Sequence, residues 1–230
     1  NYIHQDQKGF LWIGTDIGIT RYGGNFFHTY NLSRQGKNEP ISVSNIVETE
    51  DRYLWIESDD HIISCFDKRQ EKYLPIQWND EIKQNDILKL YSTGNTLYTI
   101  LTDGLYMLNV KSDGEIIQLH KKALLPNKKF YQALTSQDKT LYLIDENNQM
   151  IIYNTENEKS DLIDCKEWGI QTKDIKSLYI ANNHLFACGD FDGIICFNLK
   201  NKVFRNIRIL CNEYDYKQPN IQEICYIREN

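Results

Sequence analysis

No run in this 230-residue chain comes near the roughly 20 consecutive apolar residues that a bilayer-spanning helix needs. Asn1-Tyr2-Ile3-His4-Gln5-Asp6 has neither a basic stretch nor an apolar one, so it does not read as a secretory leader; the expectation is that any leader has been removed or was never there. Positive charge is in deficit, with 26 Lys and Arg against 32 Asp and Glu, a net charge of −6. That balance argues against nucleic acid as the main partner, because phosphate binding needs a basic face. Gly-x-Ser-x-Gly, the Walker A loop and the dinucleotide Gly-x-Gly-x-x-Gly are all missing, which removes the recognisable nucleophile elbow and phosphate cradles. Gly23-Gly24 follows a strand pattern and reads as a turn. His4, His28, His61, His120 and His184 include no i, i+4 pair, and the six cysteines include no Cys-x-x-Cys, so no metal site and no cofactor are expected. Helical periodicity is missing too, since no stretch of twelve residues keeps an i, i+3, i+4, i+7 apolar stripe free of turn residues.

What the chain does have is repetition. Short apolar runs with an aromatic recur as Leu11-Trp12-Ile13, Leu54-Trp55-Ile56, Leu97-Tyr98-Thr99, Leu141-Tyr142-Leu143 and Leu185-Phe186-Ala187, at intervals of 43, 43, 44 and 44 residues. About nine residues before each aromatic stands another apolar run, such as Ile3-His4-Gln5 or Ile46-Val47-Glu48. After it comes a third, such as Ile19-Thr20-Arg21-Tyr22 or Ile194-Ile195-Cys196-Phe197, ended by Gly23, Asp67, Asn109, Asn154 or Asn198. A more polar fourth stretch closes each unit, Phe26 to Tyr30 in the first and Ile116 to His120 in the third. Four short Ile-, Leu-, Tyr- and Phe-rich runs bounded by Gly, Asp and Asn predict a four-stranded antiparallel meander. Its recurrence at this period predicts an all-β chain, a β-propeller of four-stranded blades at 1–33, 42–77, 86–120, 130–165 and 174–211. A sixth unit starts at 221–227 and the sequence stops at Asn230, so the expectation is an arc of about five blades, part of a larger ring completed by a parent chain.

The window Gln5-Asp6-Gln7-Lys8-Gly9-Phe10-Leu11-Trp12-Ile13-Gly14-Thr15-Asp16-Ile17-Gly18-Ile19-Thr20-Arg21-Tyr22 resembles the two-component regulator propeller repeat, Gln-Asp-x-x-Gly-x-Leu-Trp-Ile-Gly-Thr-x-x-Gly-Leu-x-Arg-Tyr. The second unit keeps Leu54-Trp55-Ile56 and Phe66-Asp67, and the later three keep the rhythm without the letters. The resemblance implies a seven-bladed propeller, of which this chain is the greater part, in the periplasmic sensor portion of a hybrid two-component histidine kinase and response regulator, of the kind that gut bacteria use in degrading polysaccharides. It implies an extracytoplasmic module of an inner-membrane protein, with the membrane reached only through the parent chain. The partners it implies are an oligosaccharide from polysaccharide breakdown and the remaining blades and domains of the parent, and it allows a homodimer.

Within that frame Trp12 and Trp55, locked to the repeat, are expected to wedge between neighbouring blades. Cys65 and Cys196 share a strand column that needs only a small buried side chain, and irregular spacing favours free thiols at Cys165, Cys188, Cys211 and Cys225. The residues outside the repeat columns are the informative ones. Connections between blades and the hairpins of the two middle strands emerge at one end, which places Asn31 to Ser44, Gln77 to Asp86, Lys121 to Lys129, Lys166 to Asp174 and Asn212 to Asn220 together as loops. Loops on a rigid scaffold are where binding concentrates. Candidate ligand-binding residues are therefore Trp78, Trp168, Tyr214 and Tyr216 as stacking faces, with Arg34 and Lys37 as polar partners. The reading is of a non-enzymatic sensor. A propeller lyase or hydrolase, for which the inner-strand columns offer only His4 and Glu48, and a protein-docking scaffold are the alternatives.

Overall fold

The computed structural model describes residues 2–33, 39–50, 52–78, 87–135 and 139–207, and they are all-β apart from two short 3-10 turns. The chain divides into two compact units, Asn1–Asn127 and Lys128–Asn230.

The first unit holds three sheets. β1 (Tyr2–Gln5), β2 (Leu11–Thr15), β3 (Gly18–Tyr22) and β4 (Phe27–Asn31) form the first, as an antiparallel meander in chain order. β5 (Val43–Thr49), β6 (Tyr53–Ser58), β7 (Ile63–Asp67) and β8 (Lys72–Leu74) form the second in the same order. The third runs β10 (Ile87–Thr93), β11 (Thr96–Leu101), β12 (Gly104–Ser112), β13 (Ile117–Pro126), with β9 (Ile76–Trp78) added parallel to the outer edge of β13. The second unit holds two more meanders: β14 (Phe130–Thr135), β15 (Thr140–Asp145), β16 (Gln149–Asn154) and β17 (Lys159–Asp164), then β18 (Ile175–Ala181), β19 (His184–Gly189), β20 (Ile194–Asn198) and β21 (Phe204–Ile207).

Two details depart from the sequence reading. Lys121 to Pro126 is not loop, because β13 continues through it in register with β12, from Ser112↔Ile117 to Gly104↔Pro126. The third sheet also has a fifth strand, β9, so that its outer edge is partly covered at Ile117–Leu119 by the chain arriving from the second sheet, with Ile117 N–H donating to the Pro75 carbonyl at 2.9 Å.

Period-2 burial explains how the sheets stack. In the first sheet, His4↔Trp12↔Arg21↔His28 lie across one another on one face and Gln5↔Leu11↔Tyr22↔Phe27 on the other. The Trp12 face packs on Ile46, Leu54, Ile56 and Phe66 of the second sheet. The opposite face of the second sheet, carrying Trp55, Cys65 and Leu74, packs on Ile87, Leu90, Leu97 and Leu108 of the third. Trp12 and Trp55 are thus wedges between successive sheets, both essentially inaccessible to solvent. The sheets approach so closely at Gly14 that a Cβ there would stand 2.7 Å from the Val43 side chain. Gly18 opens β3 at φ +131, where a Cβ would meet the Tyr30 carbonyl oxygen at 2.4 Å, so the motif's glycine is required on both conformational and steric grounds. In the second unit Tyr142, Ile144 and Met150 of one sheet pack on Ile175, Leu185, Ile195 and Phe197 of the other.

Candidate functional site

The cleft that stands out in the first unit has a volume of about 530 Å³ and is built by three separate stretches of chain. Leu32, Ser33 and Ile41, from the connection between the first and second sheets, form one wall. That connection is pinned by Leu32 N–H to the Ile17 carbonyl at 2.9 Å and Ile41 N–H to the Leu32 carbonyl at 3.0 Å. Ile62, Ile63 and Ser64, at the start of β7, and Tyr73 and Leu74 of β8 form the floor, with the Tyr73 hydroxyl donating to the Tyr30 carbonyl at 3.0 Å. Pro75, Ile76 and Trp78 close the far side. The short strand β9 fixes Trp78 opposite Leu119 by parallel pairing with β13, and its indole is half-buried against the core. A volume of this size suits a small molecule, and the lining exposes polar and apolar surface in nearly equal measure.

Of the six residues singled out from sequence, Trp78 lies on this cleft. Arg34, Lys37, Tyr214 and Tyr216 fall outside the described residues. Trp168 belongs to the second unit and is not an open platform. It ends the 3-10 turn Lys166–Trp168, is 4% exposed, and packs its ring 5.6 Å from Phe197 and 6.4 Å from Phe204. A tryptophan in a turn between sheets can lie over the core as readily as face solvent, and here burial of the large apolar ring decides.

Two polar clusters were not anticipated as units. At the end of the sheets carrying the β1–β2 turn, the Lys68 ammonium, almost fully buried, reaches Asp6 Oδ2 at 3.2 Å and Glu48 Oε1. Asp6 also accepts from the Trp12 indole N–H at 2.9 Å and from the Lys8 and Phe10 amides, both at 3.0 Å. Glu48 Oε2 accepts from the Gln7 amide at 3.2 Å and lies 3.5 Å from His4 Nε2. Burial alone raises the Asp6 carboxyl, but the Trp12 N–H, the Lys68 charge and the Phe10 amide outweigh it, leaving it below its ordinary value. Glu48 shifts the same way, burial being outweighed by His4, Lys68 and Gln7. The two residues that the inner columns offered to an enzyme are therefore brought together, but in a saturated ion cluster that ties the first sheet to the second. An acid or base for catalysis must be able to exchange its proton at neutral pH, and a lowered carboxyl held by a lysine is poorly suited to that.

The second cluster lies at the opposite end, toward the β6–β7 hairpin. Glu57, buried, accepts from Asn45 Nδ2 at 3.2 Å and from the Leu90 amide at 3.0 Å, and His61 Nδ1 stands 3.6 Å from its other oxygen. Burial pushes the Glu57 carboxyl up against the opposing hydrogen bonds. Glu57 stands at the position of Gly14 in the first unit of the repeat, two residues after the tryptophan, where the next sheet comes close; it meets that sheet's backbone with a hydrogen bond.

Cys65 and Cys165 are buried free thiols and Cys196 a half-buried one; Cys188 is buried, and Cys211 and Cys225 lie outside the described residues. Burial pushes the Cys165 thiol up to about 12 and raises Cys65 further, which keeps both as inert thiols. Among the described residues no group of three or more His, Cys, Asp or Glu is placed to hold a metal ion, and no helix is long and apolar enough to cross a membrane.

No family model matches the sequence. No curated protein matches it either. Solved structures do resemble the fold. The extracellular domain assigned to the hybrid two component system BT3049 of B. thetaiotaomicron superposes with a TM-score of 0.59 at 18% identity, over 91% of this chain and 30% of that one. The extracellular domain assigned to the one component system BT4673 of the same organism gives 0.54 at 16% identity, over 89% and 36%. A chain of the mitotic checkpoint complex gives 0.60 at 12% identity, over 89% and 63%. The likeness is one of fold. This chain spans about a third of the two extracellular domains, the first of them from the class of protein that the Gln5–Tyr22 window resembles.

Proposed function

We propose that residues 1–230 are the greater part of a β-propeller serving as the ligand-sensing, extracytoplasmic module of a two-component signalling protein in the periplasm, and that it responds to oligosaccharides released from polysaccharides. The propeller reading is supported by five consecutive sheets, each built on the same four-stranded antiparallel meander and stacked within the first unit through the same tryptophan face. The sensing reading is carried by the Trp78 cleft, a preformed site on a scaffold whose best acid–base pair is locked in an ion cluster. An indole beside two serine hydroxyls suits a sugar ring, which offers an apolar C–H face and a rim of hydroxyls. Arg34 and Lys37, as polar partners, and Tyr214 and Tyr216, as stacking faces, stay candidates from the sequence alone and lie outside the described residues. The module is non-enzymatic in this reading.

Calorimetric titration with a panel of glycan fragments tests it. Binding by the wild type and at least tenfold weaker binding by Trp78→Ala is the expected result. Turnover of a glycan, or binding unaffected by Trp78→Ala, would overturn the assignment of this cleft as a sensing site.

A further inference from the structure

A second, smaller cavity of about 290 Å³ adjoins the Trp78 cleft, lined by Pro40, Ile41, Ser42, Asp59 and Asp60. The two hollows share Ile41 as a wall. They lie between the same two pieces of chain, the connection from the first sheet to the second and the β6–β7 hairpin with the start of β7. Asp59 N–H donates to the Ser42 carbonyl at 3.1 Å, which ties the hairpin to that connection, and Ser33 bridges Pro40 within the connection. The hairpin is closed by Ser58 N–H to the Ile62 carbonyl at 3.0 Å and by His61 N–H to the Ser58 carbonyl at 2.9 Å. The Ser58 hydroxyl accepts from the Ile62 amide at 2.9 Å and donates to Asp60. Asp60 thus helps to shape the hairpin, whereas the Asp59 side chain is exposed on the smaller cavity and enters none of those bonds.

We infer that the two cavities are adjoining subsites of one extended site. The smaller binds the second ring of an oligosaccharide whose first ring lies against Trp78, and the Asp59 carboxylate accepts from that second ring's hydroxyls. This rests on the reading of the Trp78 cleft as a glycan site, and adds to it a minimum length of two rings and a residue that sets specificity. The cleft offers an indole, aliphatic side chains and the Ser33 and Ser64 hydroxyls, a lining suited to the C–H face of a ring. The smaller cavity has the opposite balance, with carboxylates and the Ser42 hydroxyl beside Pro40 and Ile41. An ionised carboxylate only accepts, and can take two hydroxyl donors at once in charge-assisted bonds stronger than neutral ones. A ligand occupying both cavities passes over Ile41 at its glycosidic link. Backbone bonds hold both walls in place beforehand, so seating the second ring costs little ordering of the protein.

Calorimetric titration with matched sugars tests it: glucose and cellobiose, xylose and xylobiose, mannose and mannobiose, galactose and galactobiose. In a pair that binds, the disaccharide should bind roughly tenfold or more tightly than its monosaccharide, as the gain of charge-assisted bonds implies. Asp59→Ala should bring the disaccharide to within about twofold of the monosaccharide. The same variant should leave monosaccharide affinity unchanged, which a general loss of folding would not. Trp78→Ala should weaken both members of the pair. Equal affinity of the two members in the wild type, or an advantage that survives Asp59→Ala, would overturn the second subsite while leaving the Trp78 cleft as a one-ring site. Binding of no member of any pair, or binding unaffected by Trp78→Ala, would remove the glycan reading of the cleft and this inference with it.

Discussion

The indole N–H of Trp12 donates to the carboxylate of Asp6, six residues earlier, at 2.9 Å, and the same bond recurs one repeat later from Trp55 to the Thr49 hydroxyl at 2.8 Å. The first strand's end and the wedge tryptophan are therefore joined across the turn between them. Asp6 also caps that turn through the Lys8 and Phe10 amides, so the Gln5-Asp6 and Leu11-Trp12 parts of the motif form one local structure. Trp12→Ala and Trp55→Ala should each lower stability by about 3–5 kcal/mol, as expected for removal of a buried aromatic. Urea unfolding is the check, and unchanged midpoints for either variant would contradict the wedge role.

Lys68 holds two buried carboxylates at once. Lys68→Met should cost about 3–5 kcal/mol, because Asp6 and Glu48 are left without their cation. Both carboxyls sit below their ordinary values of 3.8 and 4.5, so the stability they contribute is present above pH 4.5 and lost as pH falls through the lowered folded values. Urea midpoints should therefore drop on acidification in the wild type, and the drop should be smaller in Lys68→Met.

Glu57 predicts the opposite sign. Its carboxyl is raised above 4.5 in the folded protein, so the fold holds that proton more tightly than the unfolded chain does. Its contribution is full below pH 4.5 and declines as pH rises through the raised value. Glu57→Gln can still accept from the Leu90 amide without a buried charge. Its stability relative to wild type should rise between pH 4 and pH 7. An identical pH profile for the two proteins would show that the carboxylate is better compensated than its surroundings indicate.

Trp78 and Trp168, alike in sequence context, should behave differently. Trp168→Ala removes a ring from the core of the second unit and should cost about 3–5 kcal/mol of stability. Trp78→Ala, at a half-buried site, should cost less and should weaken glycan binding instead. Thermal melts and calorimetry on the two variants separate these outcomes.

The rhythm of the fold was legible because a sheet stacked on both faces leaves its aromatic and aliphatic columns at fixed spacing. Trp12 and Trp55 could be placed from sequence for that reason. The extension of β13 was not legible, because Lys121-Lys122-Ala123-Leu124-Leu125 has no alternation and its pairing comes from β12 across the sheet. β9 was missed because three residues carry no periodicity, and its partner lies some forty residues on. The cleft was legible only at Trp78, since Ile41, Ile62 and Ile76 are ordinary apolar residues that three separate connections bring together. Lys68 had a signal, a lysine just after Phe66-Asp67, but nothing in the spacing tied it to Asp6 in the preceding unit.

Tryptophan emission reports most directly on the proposed binding of a glycan in the Trp78 cleft. Of the four tryptophans, Trp12, Trp55 and Trp168 are buried and only Trp78 lines the cleft. Saturation with a bound oligosaccharide should shift the emission to shorter wavelength in the wild type, and Trp78→Phe should abolish the shift. An emission spectrum unchanged at saturation, or a shift that survives in Trp78→Phe, would contradict glycan binding in this cleft.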